Sequence, residues 1–320
     1  MTNMQYRPLG NTGLNVSTIG YGASPLGSMF RDVKQSVGIE TVHKAIEYGI
    51  NLFDVSPHYG DTIAEQVLGH ALADIDRSKY YVSTKCGRYA DHGFDFSADR
   101  INRSLDESCK RLGLDYIDIF YLHDIEYADP SQILNESLPA IMKLKEQGRI
   151  GNVGITGYPL EIFKAIVGNF PIDAIITYCR YALHDQSLLS ILPYLVKHNI
   201  GIINASATGM GLLTKRGVPS WHPANQKLRE LCANIVEQTA ADGFDITKLA
   251  IQFSTQHPAI ASTLIGTANP VNLKQNIDWH LRALDSQKGA TQQCEKIISK
   301  FNQVETSWPS AQPEKWAAIK

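Results

Sequence analysis

The 320-residue sequence predicts an α/β fold, a (β/α)8 barrel of the TIM type with an N-terminal β-hairpin and an extra C-terminal helix, in one domain over residues 1–320. Three observations predict it. Eight short apolar runs, counted from Ser17, are rich in Val and Ile without strict alternation, as strands buried on both faces are. Nearly every run is followed by apolar residues at helical spacing, so the βα units fill about 250 residues, the usual size of such a barrel. The glycine-rich fingerprint that a doubly wound sheet carries after its first strand is missing. Gly20-Tyr-Gly22 lacks the third glycine, Gly151, Gly154 and Gly157 run through a predicted strand, and Gly209-Met-Gly211 sits in a loop. All three sets read as tight-turn or close-packing glycines.

Residues 6–16 hold two short strand-like pieces around Asn11-Thr-Gly13, where glycine supplies the positive φ of a hairpin. A strand over 17–22 precedes a helix over 37–48, which Gly49 closes. The next units are a strand over 51–55 with a helix over 63–72, and a strand over 80–84 with a helix from Ser97 to Gly113. In that helix Ile101, Leu105 and Leu112 form the apolar stripe. Strand 117–122 leads to helix 132–147, strand 152–156 to helix 160–167, and strand 174–178 to helix 187–197. Strand 201–206 is followed by a long loop and a helix over 225–239. A helix over 247–256 then precedes the last strand, 262–266, and its helix, 271–284. Beyond about residue 285 the expectation is one more helix on the barrel exterior, with a tail around Trp308-Pro-Ser310 crossing one end.

Composition narrows the function. A net charge of −2 offers no electrostatic footprint for nucleic acid or an anionic membrane. No run of 18 or more apolar residues is present, and the N-terminus lacks an apolar signal core. Five scattered cysteines without a C-x-x-C pair argue for free thiols in a reducing cytoplasm and against a zinc site, so no metal is expected.

The chemistry lies at three strand ends. Asn51-Leu-Phe-Asp-Val-Ser-Pro-His-Tyr-Gly60 delivers Asp54 and, just past the strand, Tyr59. Residues 80–87 deliver Lys85, and residues 116–123 deliver His123. In a barrel of this kind active sites form at the C-terminal strand ends. A tyrosine is a poor acid or base at neutral pH, but a nearby ammonium favours the phenolate. Lys85 can supply it, Asp54 can pin Lys85, and His123 can orient a substrate oxygen, which makes a proton donor or acceptor beside a carbonyl or hydroxyl carbon. Taken singly, each residue has a plainer reading: a turn cap, rim packing, a solvated lysine, a structural histidine.

Asp54, Tyr59, Lys85 and His123, with the Asp54-x-x-x-x-Tyr59-Gly60 spacing, resemble the catalytic tetrad of the aldo-keto reductases. The resemblance runs from about Tyr6 to Trp308. Segments such as Gly22-Ala-Ser-Pro-Leu-Gly27, Thr84-Lys-Cys-Gly-Arg88, His123-Asp-Ile-Glu126 and Gly209-Met-Gly-Leu-Leu-Thr214 resemble the branch that oxidises sugars at C1. The resemblance implies a nicotinamide cofactor across the strand ends. Thr156 and Gly157 stand where many members have Ser-Asn, so the Thr156 hydroxyl is expected at the carboxamide. Tyr178 is expected to stack on the nicotinamide, although from periodicity alone it reads as a core aromatic. The loop carrying Ser206, Ala207, Gly209, Gly211 and Leu212 is expected at the pyrophosphate. Gly266, Thr267, Ala268, Asn272, Gln275 and Asn276 are expected at the adenosine. Lys274 falls on a different helical face from Asn272, and Gly266, Ala268 and Asn272 carry no cation for a 2′-phosphate, so NAD is expected over NADP. The Thr267, Asn269 and Asn272 side chains are expected to meet the 2′-hydroxyl instead. Asp124, Arg88 and Trp221 join Tyr59 and His123 as substrate-contact candidates. The expected reaction is oxidation of an aldose, foremost L-galactose, at C1 to its lactone by a monomer or weak homodimer. An L-fucose or D-arabinose dehydrogenase, a general carbonyl reductase and a cofactor-binding regulatory subunit remain as alternatives.

Overall fold

The structure of the protein is a computed structural model that describes residues 4–90, 93–282, 286–310 and 315–316. A hairpin of β1 (Tyr6–Pro8) and β2 (Asn15–Ser17) precedes β3 (Ile19–Gly22), β4 (Leu52–Asp54) and β5 (Tyr81–Cys86). After β6 (Arg88–Tyr89) and β7 (Gly93–Phe94) come β8 (Ile117–Leu122), β9 (Ile150–Thr156), β10 (Ala174–Tyr178), β11 (Gly201–Ala205) and β12 (Ser262–Ile265). Strands β3–β5 and β8–β12 are parallel and close into an eight-stranded barrel, in which β12 pairs back to β3. The helices are α1 (Gln35–Glu47), α2 (Ile63–Leu72), α3 (Ala98–Leu112), α4 (Pro130–Gln132), α5 (Leu138–Glu146), α6 (Glu161–Ile166), α7 (Leu192–Lys197), α8 (Gln226–Ala241), α9 (Ile246–Ser254), α10 (Pro270–His280) and α11 (Ala290–Ser299).

Local chemistry sets the helix ends. The side chains of Ser97, Asn225 and Asp245 accept from the first free N–H groups of α3, α8 and α9, and Gly113 ends α3 at φ +68°. Two expected helices are broken. Residues 130–146 hold a π-helical stretch, Ile133–Ser137, before α5: Pro139 has no N–H to return to the Asn135 carbonyl, so the ladder widens there. Residues 187–197 split into a 3-10 turn, Ser187–Ser190, and α7, because Pro193 cannot bond back to Leu189. Helix α10 stops at His280, short of the expected residue 284, which lies outside the described residues. The β6–β7 hairpin was not expected.

The barrel interior is solid, filled by Leu52, Ile119, Tyr121, Ala174, Ile176, Ile203 and Leu264. Gly154 is required here: a Cβ on it would lie 2.2 Å from the Tyr121 ring. The N-terminal hairpin seals the far end with Leu9 and Val16. It is stitched in place by Asn11 N–H to the Asn199 carbonyl at 2.9 Å and by Arg7, which donates to the carbonyls of His257 and Ile260 at 2.8 and 2.7 Å. Among the described residues no helix is long and apolar enough to cross a membrane. All five cysteines are free.

Candidate active site

The parallel register carries the three strand ends to one rim. Asp54 ends β4 opposite Ser83, Lys85 stands one residue from the end of β5 opposite Tyr121, and His123 follows β8. Lys85 Nζ donates to Asp54 Oδ2 at 2.6 Å, to the Val55 carbonyl at 2.8 Å and to the Tyr59 hydroxyl at 3.2 Å, so each ammonium hydrogen has an acceptor. Asp54 Oδ1 accepts from Ser83 Oγ at 2.7 Å. Asp54 and Lys85 are both 2 % exposed. Burial works against the Lys85 charge, but Asp54 and Tyr59 outweigh it and hold its pKa above the ordinary value.

His123 stands across from Tyr59, ring centroids 5.9 Å apart and planes perpendicular. Its Nδ1 meets Ser56 Oγ at 3.0 Å. That oxygen also accepts from the His58 N–H at 3.1 Å, and among the described residues its own proton has no acceptor other than Nδ1, an arrangement that matches the Nε2–H tautomer of His123. Burial first, then Lys85 and Arg88, push its pKa well below the ordinary value, so the ring is neutral. Tyr59 corrects the expectation of a lowered pKa. Burial raises it by more than Lys85 lowers it, so the resting group is the phenol.

Beside them, Arg88 and Asp124 form an ion pair, and Asp124 Oδ1 accepts from the Thr156 hydroxyl at 3.0 Å. Thr156 Oγ1 in turn accepts the Asp124 N–H at 2.9 Å, so the hydroxyl expected at the carboxamide is already engaged. Arg88 packs on Phe94 and Tyr127, whose rings stack 4.4 Å apart. Asp124 is held at φ +52°, an uncommon conformation for a non-glycine residue, immediately after His123.

A cavity of about 870 Å³ runs along this rim. Asp54, Tyr59, Lys85, His123, Arg88, Asp124, Trp221, Thr156 and Tyr178 line it, as do Ser206, Ala207, Gly211, Gly266, Thr267, Ala268, Asn272, Gln275 and Asn276. Three expected contacts do not. Gly209 turns inward, where a Cβ would lie 2.9 Å from His184, and Leu212 is buried in the cluster with Leu228 of α8. Met210, at φ +51° inside the 3-10 turn Gly209–Gly211, reaches the cavity in their place. Asn269 is also reassigned: its Oδ1 accepts from the N–H groups of Val271 and Asn272, because the open start of α10 competes for it. Lys274 pairs with Asp278 on the surface. Sequence reasoning did not single out His58, Phe30, Met210, Arg31 or Tyr158, which also line the cavity. The tail at Trp308-Pro-Ser310 does cross this end, as expected, and lines the mouth.

Known proteins resemble this chain along most of its length. A family model described as "Aldo/keto reductase family" matches residues 18–297. L-galactose dehydrogenase of Arabidopsis thaliana is 43% identical over 317 residues, covering 97% of this chain and 98% of that protein. D-arabinose 1-dehydrogenase of Saccharomyces cerevisiae is 29% identical, covering 82% and 83%. Among solved structures, the holo form of aldo-keto reductase AKR11C1 from Bacillus halodurans superposes with a TM-score of 0.79 at 24% identity, covering 97% of this chain and 100% of that one, a likeness of fold. The chain belongs to the aldo/keto reductase family.

Proposed function

We propose that this oxidoreductase is an NAD-dependent sugar dehydrogenase that oxidises L-galactose at C1 to L-galactono-1,4-lactone. The observation that carries the reading is Lys85 bonded at once to Asp54 and to the Tyr59 hydroxyl, with neutral His123 facing Tyr59 in the same cavity. The likeness along almost the whole chain to L-galactose dehydrogenase of Arabidopsis thaliana supports the choice of sugar. The fit to a nicotinamide cofactor rests on the cavity itself. Its volume lies in the usual range for ligand sites. The Tyr178 ring stands at the tip of β10, and the tips of β3 and β12 are bare backbone: a Cβ on Gly22 would lie 3.7 Å from the Gly266 nitrogen.

A bound oxidised nicotinamide supplies the hydride acceptor. The protein supplies the rest. His123 Nε2–H donates to the C1 oxygen of the sugar and orients it. Tyr59 takes the proton of that hydroxyl, and the Lys85 ammonium stabilises the phenolate that must be present for it to do so. Asp54 keeps Lys85 charged and in place. Because burial raises the Tyr59 pKa, the phenolate fraction grows as pH rises, and oxidation is expected to quicken from neutral to alkaline pH. Arg88 and Asp124 offer donors and acceptors to sugar hydroxyls, and Trp221, 51 % exposed at the mouth, offers an apolar face to the ring. Initial rates with NAD across a panel of L- and D-aldoses test the reading. L-galactose is expected among the best substrates, with L-fucose, which lacks only the 6-hydroxyl, second. A clear preference for D-glucose or for aromatic aldehydes overturns it.

A further inference from the structure

The tail segment Trp308-Pro-Ser310 is built into the mouth rather than laid across it. Trp308 is 7 % exposed. Its ring lies flat on Tyr158, centroids 4.7 Å apart with 12° between planes, and meets the His222 ring edge-on at 5.2 Å. The Trp308 backbone N–H donates to the Tyr158 hydroxyl at 3.2 Å. Ser310 Oγ donates to Glu126 Oε1 at 3.4 Å, the same oxygen that accepts the Tyr158 N–H at 3.0 Å. Tyr158 follows β9 and His222 belongs to the loop after β11, so the tail spans the two and passes the tip of β10 between them. That tip is Tyr178.

Tyr158 links the two. Arg180 holds its guanidinium carbon 3.8 Å from the Tyr158 ring centroid and is itself fixed by Asp185 at 3.0 Å. A guanidinium that close and an indole stacked flat cannot share one face, so Tyr158 is clamped on both. It also packs against Tyr178, centroids 5.3 Å apart. Among the described residues the Tyr178 hydroxyl has no hydrogen-bond partner, and its ring is packed on Tyr158.

We propose that Trp308 is a positioning residue: clamped on Tyr158, it sets the Tyr178 ring against which the nicotinamide lies. This rests on the cofactor placement proposed above. An aromatic contact of this kind contributes about 0.5–1.5 kcal/mol beyond area burial, which is about two- to tenfold in affinity. The loss is expected to fall chiefly on the nicotinamide half of the cofactor, because Trp308 lies flat on Tyr158, which packs on Tyr178, and meets the loop after β11 only at the edge of His222.

Calorimetric titration of NADH and of ADP-ribose, which lacks the nicotinamide, tests the proposal on the whole chain. Trp308→Ala is expected to weaken NADH about fivefold while ADP-ribose stays within about twofold. Trp308→Leu fills more of the volume without an aromatic face and is expected to show the same selective loss, and it serves where the alanine variant fails to fold. Equal weakening of both ligands, or of neither, overturns the positioning role. Tyr178→Leu separates this from the cofactor placement. Unchanged NADH binding in that variant overturns both. Selective loss in Tyr178→Leu with the Trp308 variants unaffected overturns only the clamp.

Discussion

The two ends of the cavity are built on opposite principles. At the tips of β4, β5 and β8, charge is buried and answered from within the chain: the Lys85 ammonium has three acceptors and Asp54 is bonded from two sides. At the tip of β12 the lining is Gly266, Thr267, Ala268 and the amides of α10, and Lys274 of the same helix is taken by Asp278. In the function proposed above, one end selects by what it supplies, the other by what it withholds. The first is intolerant of change, because removing one member of a buried pair leaves the other without a partner. The second is open to revision, because adding a cation there breaks no existing bond.

The largest effect should come from the charged end. Tyr59→Phe removes the proposed proton-transfer group and little else, so turnover is expected to fall by about a thousandfold or more with NADH affinity retained. Near wild-type kcat would show that the reacting proton leaves by another group. Next, Lys85→Met is expected to lower kcat at least about a hundredfold and to cost about 3–5 kcal/mol of stability in denaturant titration, since Asp54 stays buried without its cation. The sign of its pH effect follows from the opposing influences on Tyr59. With the ammonium gone, burial acts unopposed, the Tyr59 pKa climbs further, and the rising limb of the residual pH–rate profile moves to higher pH. A downward move would contradict the role given to Lys85. The smallest effect belongs to the uncharged end. NAD should exceed NADP by about tenfold in kcat/KM, a difference of about 1.4 kcal/mol, and Asn272→Arg should narrow that gap mainly through the KM for NADP. Equal use of both cofactors by the unaltered protein would direct attention to Arg216, which lines the cavity on the loop after β11.

The sequence makes the charged end legible because a parallel strand buried on both faces is a plain apolar run, and one ionisable residue at its tip stands out. Asp54, Lys85 and His123 fall where that logic places them. The direction of the Tyr59 pKa does not follow from it, since the sequence displays the neighbouring lysine but not the depth of burial. Nor does it foretell that Arg88, Asp124 and Thr156 bond one another: they come from β6, the turn after β8 and the end of β9. Strands of two residues, such as β6 and β7, are too short to show a period. At the other end Asn269 misled for a local reason, because an asparagine before a proline-led helix is claimed first by the helix start.

The sealed base of the barrel has its own consequence. With Leu9 and Val16 filling it and Arg7 holding the hairpin to two carbonyls, the molecule is a cup and not a pipe. Among the described residues that end is closed, and Tyr59 and His123 are approached from the rim that carries Phe30 and Trp221, whose rings lie 5.7 Å apart. Two passengers that share a doorway form a queue, and the one seated deeper leaves last.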